Sequence, residues 1–181
     1  MEIKTRTDLY KLLPARPAVV EVGVAEGLFS MDIYRWGVSR LYLVDLWESH
    51  NEFPGDAGSP QKWHNDNYNN VFKNMGDKPE VKILRGPSVG MAARCPDDFF
   101  DLVYIDACHS YECVMNDLKA WFPKVKKGGF VSGHDYLNSD YGVKQAADEF
   151  VISQYPGGSS FIKIIPERKD EDASFYFQKL C

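Results

Sequence analysis

Four acids follow short apolar runs along this chain: Glu21, Asp45, Asp106 and Asp135. Two histidines accompany the later pair, His109 shortly after Asp106 and His134 directly before Asp135. Carboxylates can hold a cation or accept hydrogen bonds from hydroxyl groups, and an imidazole can take a proton near neutral pH. Each acid alone also reads as a helix cap or turn residue. Their recurrence at or just past predicted strands, after a glycine-containing turn, points instead to one shared site.

The turn is Glu21-Val22-Gly23-Val24-Ala25-Glu26-Gly27. Gly23 lets the backbone turn where a side chain would clash, and Gly27 lets the next helix start close to a ligand. The spacing is not the G-x-G-x-x-G of dinucleotide folds, and no Gly-Lys-Ser/Thr of a phosphate loop follows. Glu21 would repel a phosphate and suits a cationic or hydroxyl-bearing ligand. S-adenosylmethionine meets that description, with its ammonium, sulfonium and ribose. A nicotinamide-binding oxidoreductase is disfavoured on the same grounds. Asp45 stands where nucleoside-binding folds place an acid for ribose hydroxyls. Ser88, after Arg85-Gly86-Pro87, is placed to touch the adenine edge, although serine after proline also caps helices.

Positioning these residues requires alternating elements. A short helix is expected over 5–13, ended by Pro14 and Pro17. Strands are expected at 18–22, 40–45, 80–84, 99–105 and 130–133, with Lys127-Gly128-Gly129 as a turn before the last. Helices are expected at 27–36, 61–75, 87–94, 111–122 and 142–154. Residues 160–165 and 173–179 alternate as a closing antiparallel hairpin. Alternating β and α elements imply a parallel sheet covered on both faces, with ligands at the carboxyl ends of its strands. The segment 46–60 is the longest irregular stretch, and such loops are often functional.

The 181 residues fit one domain, 1–181, with 1–17 as helix and lead-in and 46–75 as an acceptor-side loop and helix. A hydrophobic content of 44% and an aromatic content of 14% indicate a folded globule. A net charge of −5 argues against a nucleic-acid backbone as the main partner. No run approaches the roughly 18–20 apolar residues of a membrane span. The charged opening residues hold no apolar signal core, so the expected address is cytoplasmic. Cys95, Cys108, Cys113 and Cys181 form no C-x-x-C pair and read as free thiols, with a zinc site at Cys108, His109 and Cys113 as a weak rival. The hairpin could mediate a homodimer.

Two segments carry a family resemblance: Asp101-Leu102-Val103-Tyr104-Ile105-Asp106-Ala107-Cys108-His109-Ser110-Tyr111, and Lys127-Gly128-Gly129-Phe130-Val131-Ser132-Gly133-His134-Asp135-Tyr136. With the first turn, they resemble the class I S-adenosylmethionine-dependent methyltransferases, more narrowly the small metal-dependent O-methyltransferases of macrolide and aminocoumarin sugars. The resemblance spans roughly residues 18–155. It implies an α/β, Rossmann-like, doubly wound, seven-stranded and mostly parallel sheet closed by the antiparallel hairpin. It implies that Gly23 and Gly27 line the methionine part of the cofactor, with Glu21 near its ammonium and Asp45 on its ribose. Asp106 would bind a divalent metal at the cofactor's edge, and His109 would be the general base. His134 and Asp135 stand where the sugar enzymes carry paired acids. The imidazole is a departure that shifts preference from Mg²⁺ toward Mn²⁺, Fe or Zn²⁺.

The chemistry supports the same assignment. Methyl transfer is an in-line displacement from an activated sulfonium, so the protein must align the acceptor and remove its proton. A bound cation acidifies a hydroxyl, and a histidine can then accept the proton. The aromatic and Asn-rich stretch Trp63-His64-Asn65-Asp66-Asn67-Tyr68-Asn69-Asn70 reads equally as a sugar-contacting surface or as a solvated helix. The expected reaction is therefore O-methylation of a small-molecule or glycan acceptor. The alternatives are a metal-independent N- or O-methyltransferase and a catalytically silent cofactor-binding module.

Overall fold

The computed structural model describes residues 2–50, 58–166 and 173–180. They build one seven-stranded sheet from β1 (Ala18–Val22), β2 (Arg40–Asp45), β3 (Val81–Arg85), β4 (Phe100–Ile105), β5 (Val125–Gly133), β6 (Lys163–Ile165) and β7 (Ser174–Gln178), in the order β3-β2-β1-β4-β5-β7-β6. Neighbours among β1 to β5 are parallel, while β7 runs antiparallel to β5 and β6. The expected doubly wound sheet with its closing hairpin is therefore present. The hairpin's connection at 167–172 and part of the 46–60 loop lie outside the described residues, as does Cys181.

The helices are α1 (Leu28–Arg35), α2 (Gln61–Met75), α3 (Ser88–Ala92), α4 (Tyr111–Trp121) and α5 (Val143–Gln154). Strand alternation divides the core in two. Val20, Val22 and Val103 pack with Val114, Leu118 and Phe150 of α4 and α5. Val19, Leu102 and Tyr104 pack with Phe29, Ile33 and Val71 of α1 and α2. The N-terminal helix is a 3₁₀ helix, Arg6–Leu12, docked on the second cluster through the fully buried Leu9. None of the described helices is long and apolar enough to cross a membrane.

Two expected elements differ. The first strand of the hairpin, expected over 160–165, begins at Lys163, after a 3₁₀ turn at Gly158–Phe161. Lys127-Gly128-Gly129 lies inside β5 rather than in a turn before it. The pairing of β5 with β4 jumps from Phe100↔Val125 to Leu102↔Phe130, so several β5 residues bulge opposite one. Gly128 takes φ +83 there, and Lys126 Nζ grips Asp101 Oδ1 at 2.9 Å across the bulge. Glycines that suggest a chain reversal instead accommodate extra residues in a continuing strand.

Register brings the candidate site residues to one rim. Val22 pairs with Val44 and with Ile105, Asp45 with Arg85, and Ile105 with Gly133. The residues that follow these strands therefore gather at a common carboxyl edge.

Candidate active site

The β1–α1 turn is held between its neighbours. Gly23 N donates to Val44 O at 2.8 Å, and Asp106 N donates to Val22 O at 2.7 Å. Gly23 takes φ +90, and a Cβ there would stand 1.9 Å from the Asp106 carbonyl oxygen. The glycine is thus required by the close approach of this turn to the end of the neighbouring β4. Gly27 takes φ +80 at the start of α1, where a Cβ would meet Val71 Cγ2 of α2 at 2.8 Å. Its lack of a side chain admits α2 as well as the sharp turn.

Asp45 accepts from the backbone of both adjoining segments. Its Oδ2 takes the N–H groups of Val24 and Ala25 at 2.8 and 2.9 Å, and its Oδ1 takes that of Trp47 at 2.7 Å. Trp47 is buried, donates its indole N–H to Ala25 O at 3.0 Å and meets Tyr68 of α2 edge-on. A carboxylate oxygen has more than one acceptor position. The arrangement therefore fixes the loop and leaves the acid able to receive ribose hydroxyls.

Glu21 shares the α1-facing side of β1 with Val19 and is 2% exposed. Burial raises its pKa to about 8, despite the hydroxyl of Ser30 donating to Oε2. Ser88 opens α3, with its hydroxyl turned toward α4. There it accepts from Trp121 Nε1 at 2.9 Å and adjoins Asp117, whose pKa burial raises to about 6.

The β4 and β5 ends bring together Asp106, His109, His134 and Asp135. His109 Nε2 lies 3.1 Å from Asp135 Oδ2 and 3.6 Å from Asp106 Oδ1, while His134 Nδ1 lies 3.3 and 3.9 Å from the same oxygens. His109 Nε2 is buried and not aligned for a hydrogen bond with either carboxylate, so these are ion-pair contacts. Burial opposes a charge on His109, but the two carboxylates outweigh it and raise its pKa to about 9. The same opposition, led by burial and overcome by Asp135, raises that of His134. Burial acts against the Asp135 anion as well, yet the paired imidazoles hold its pKa below the usual carboxylate range. Asp135 takes φ +57, a conformation aspartate tolerates better than bulkier residues.

Asp106, His134 and Asp135 offer one ligand atom each, all within 4.8 Å of one another. Two carboxylate oxygens and one imidazole nitrogen fit a divalent cation. Cys95, Cys108 and Cys113 are free thiols, and Cys108 lines the same pocket as Asp106, His109 and His134.

Three contributors escaped the motif reading. Arg6 reaches the rim from the N-terminal helix, with Nη1 3.4 Å from Asp106 Oδ2. Tyr141 stacks on His109, with centroids 4.4 Å apart and planes 12° from parallel. Gly142 N donates to His109 O at 2.8 Å and draws this loop over the imidazole. Trp47 is the third. Only Trp47, two residues past a strand-end acid, carries a local signal. On α2, His64 and Asn67 turn inward, with His64 Nε2 and Asn67 Nδ2 buried and unpartnered, while Asn65, Asn69 and Asn70 face solvent.

Residues 20–136 match the family described as methyltransferase domain. No curated protein matches the chain. Among solved structures, a Corynebacterium glutamicum structural-genomics protein superposes with TM-score 0.64 at 18% identity, covering 97% of this chain and 78% of that one. Spermidine synthase from Thermotoga maritima gives TM-score 0.63 at 12% identity over 97% of this chain, which spans 56% of that chain. A Streptococcus mutans protein in complex with SAH gives TM-score 0.64 at 10% identity, covering 95% of this chain and 93% of that one. At such identities the superpositions establish a shared fold, and the family match over most of the sheet adds the activity. The chain belongs to the methyltransferase domain family, as a class I S-adenosylmethionine-dependent methyltransferase.

Proposed function

We propose that this enzyme moves a methyl group from S-adenosylmethionine to a hydroxyl oxygen of a sugar, a glycan or another polar small molecule, with a divalent cation assisting. The observation that carries the reading is the convergence of Asp106, His134 and Asp135 within 4.8 Å, beside a histidine 3.1 Å from Asp135. The donor set of Glu21, Asp45 and Asp106 fits a cofactor that carries an ammonium and a ribose. The cofactor supplies the electrophilic methyl group, and a cation at the three ligands would acidify the acceptor hydroxyl.

The chain's own residues do the rest. Glu21 and Asp106 receive the ammonium end, and Asp45 receives the ribose. The turn at Gly23 sets the methionine portion against β4. His109 takes the acceptor proton, with Tyr141 stacked on its face to hold the ring. The carboxylates beside it favour imidazolium, so cation loading would free the base by neutralising them. Alignment alone contributes roughly 7–11 kcal/mol to such reactions.

Mg²⁺ or Mn²⁺ suits the two carboxylates, and His134 tilts the choice toward Mn²⁺. On this reading the enzyme acts in the cytoplasm as one domain and does not require nucleic acid. The test is incubation with methyl-labelled cofactor, a divalent cation and a panel of glycans and polar small molecules, read by mass spectrometry. Label on oxygen is expected, and label confined to nitrogen or carbon would contradict the proposal.

A further inference from the structure

The cofactor's methionine moiety ends in a carboxylate as well as an ammonium, and the strand-end acids can answer only the ammonium. Arg6 supplies the opposite charge. It lies outside the stretch that matches the family, at the first position of the N-terminal 3₁₀ helix. That helix is anchored by Leu9 in the core cluster that also holds Phe29 and Tyr104. The Arg6 guanidinium carbon stands 4.7 Å above the Phe29 ring centroid. Its Nη1 lies 3.4 Å from Tyr104 Oη and 3.4 Å from Asp106 Oδ2.

These contacts place the cation on the α1 side of the junction between β1 and β4. Val22 pairs with Ile105 there, and Gly23 presses on the Asp106 carbonyl. If Asp45 at the end of β2 receives the ribose, the amino-acid end of the cofactor runs from β2 across β1 toward this junction. A carboxylate arriving there meets Asp106, and needs a cation to offset it. A guanidinium presents its N–H donors in a planar fork that matches the two oxygens of a carboxylate. The aromatic face beneath it fixes its plane.

We infer that Arg6 binds the α-carboxylate of the cofactor's methionine moiety, which makes the N-terminal helix a wall of the cofactor site. This rests on the methyltransferase reading of the rim. Arg6 then spans two acids of opposite role, the protein's Asp106 and the ligand's carboxylate, and couples docking of the helix to cofactor occupancy.

Titration calorimetry with two probes tests it. One is S-adenosylhomocysteine. The other is its decarboxylated counterpart, S-adenosyl-3-thiopropylamine, which keeps the ammonium and lacks the carboxylate. Arg6→Gln is expected to weaken the first by about tenfold or more, the usual scale for a lost charge-assisted hydrogen bond, and to leave the second within about twofold. Arg6→Lys keeps the cation without the fork and is expected to lose part of the preference, so it serves as the reading if Arg6→Gln does not fold. Equal weakening of both probes, or no weakening of either, would overturn the inference and leave Arg6 a structural clamp. Failure of the wild-type enzyme to bind either probe would contradict the cofactor reading itself.

Discussion

Gly23 and the Asp106 carbonyl compete for one volume: a Cβ on the glycine would stand 1.9 Å from that oxygen. The contact joins the β1–α1 turn, the proposed cofactor cradle, to the strand end that carries the acid cluster. Moving either moves both.

Gly23→Ala is therefore expected to cost at least about 2 kcal/mol, from a strained positive φ and from displacement of β4. Cofactor affinity should fall with it. Chemical denaturation and calorimetry measure the two losses, and a variant within about 0.5 kcal/mol of wild type would show that the strands tolerate separation.

Asp45→Ala removes the acceptor of three backbone N–H groups. The loss should be about 2 kcal/mol in the cofactor-free protein, because the loop is partly open to water that can replace some bonds. A ribose contact alone would leave the unliganded melting temperature unchanged, so that measurement separates the two roles of this residue.

Glu21 gives the cofactor-free enzyme a pH dependence of defined sign. Its pKa is about 8 in the fold, against 4.5 as the ordinary value. The fold prefers the protonated acid, so this contribution is complete below pH 4.5 and is lost as pH rises through about 8. Glu21→Gln is expected to gain thermal stability relative to wild type between pH 5 and pH 8, with a slope below about 1.4 kcal/mol per pH unit. Melting curves across that range check it, and a gap that stays constant would contradict it.

His109→Ala should keep cofactor binding and lose roughly 10²–10⁴-fold in methyl transfer. Tyr141→Phe should retain the stack and most of the rate, whereas Tyr141→Ala should lower kcat more than it raises KM. If His109→Ala transfers methyl groups normally, the base lies elsewhere.

Much of this architecture was legible because the relevant signals are local. The apolar runs at 18–22 and 40–45 end in acids, and their strands are Ala18–Val22 and Arg40–Asp45. The parallel sheet, its closing hairpin and the rim residues followed from that alternation. Arg6 and Tyr141 were not legible, because each reaches the site through tertiary packing. Arg6 stands about a hundred residues from Asp106 in sequence, and Tyr141 is drawn over His109 by a backbone bond from Gly142. Ser88 was read by position alone. Its hydroxyl direction depends on Trp121, which no spacing rule links to it. The bulge in β5 was missed because Gly128-Gly129 carries the same local signature in a strand bulge as in a turn.

The central claim, cation-assisted transfer to a hydroxyl, is tested most directly by methyl transfer from labelled cofactor in metal-stripped enzyme. Activity should fall to background after chelation and return on adding Mn²⁺ or Mg²⁺, and Asp135→Asn should prevent the return. Full activity in the presence of excess chelator would contradict the account.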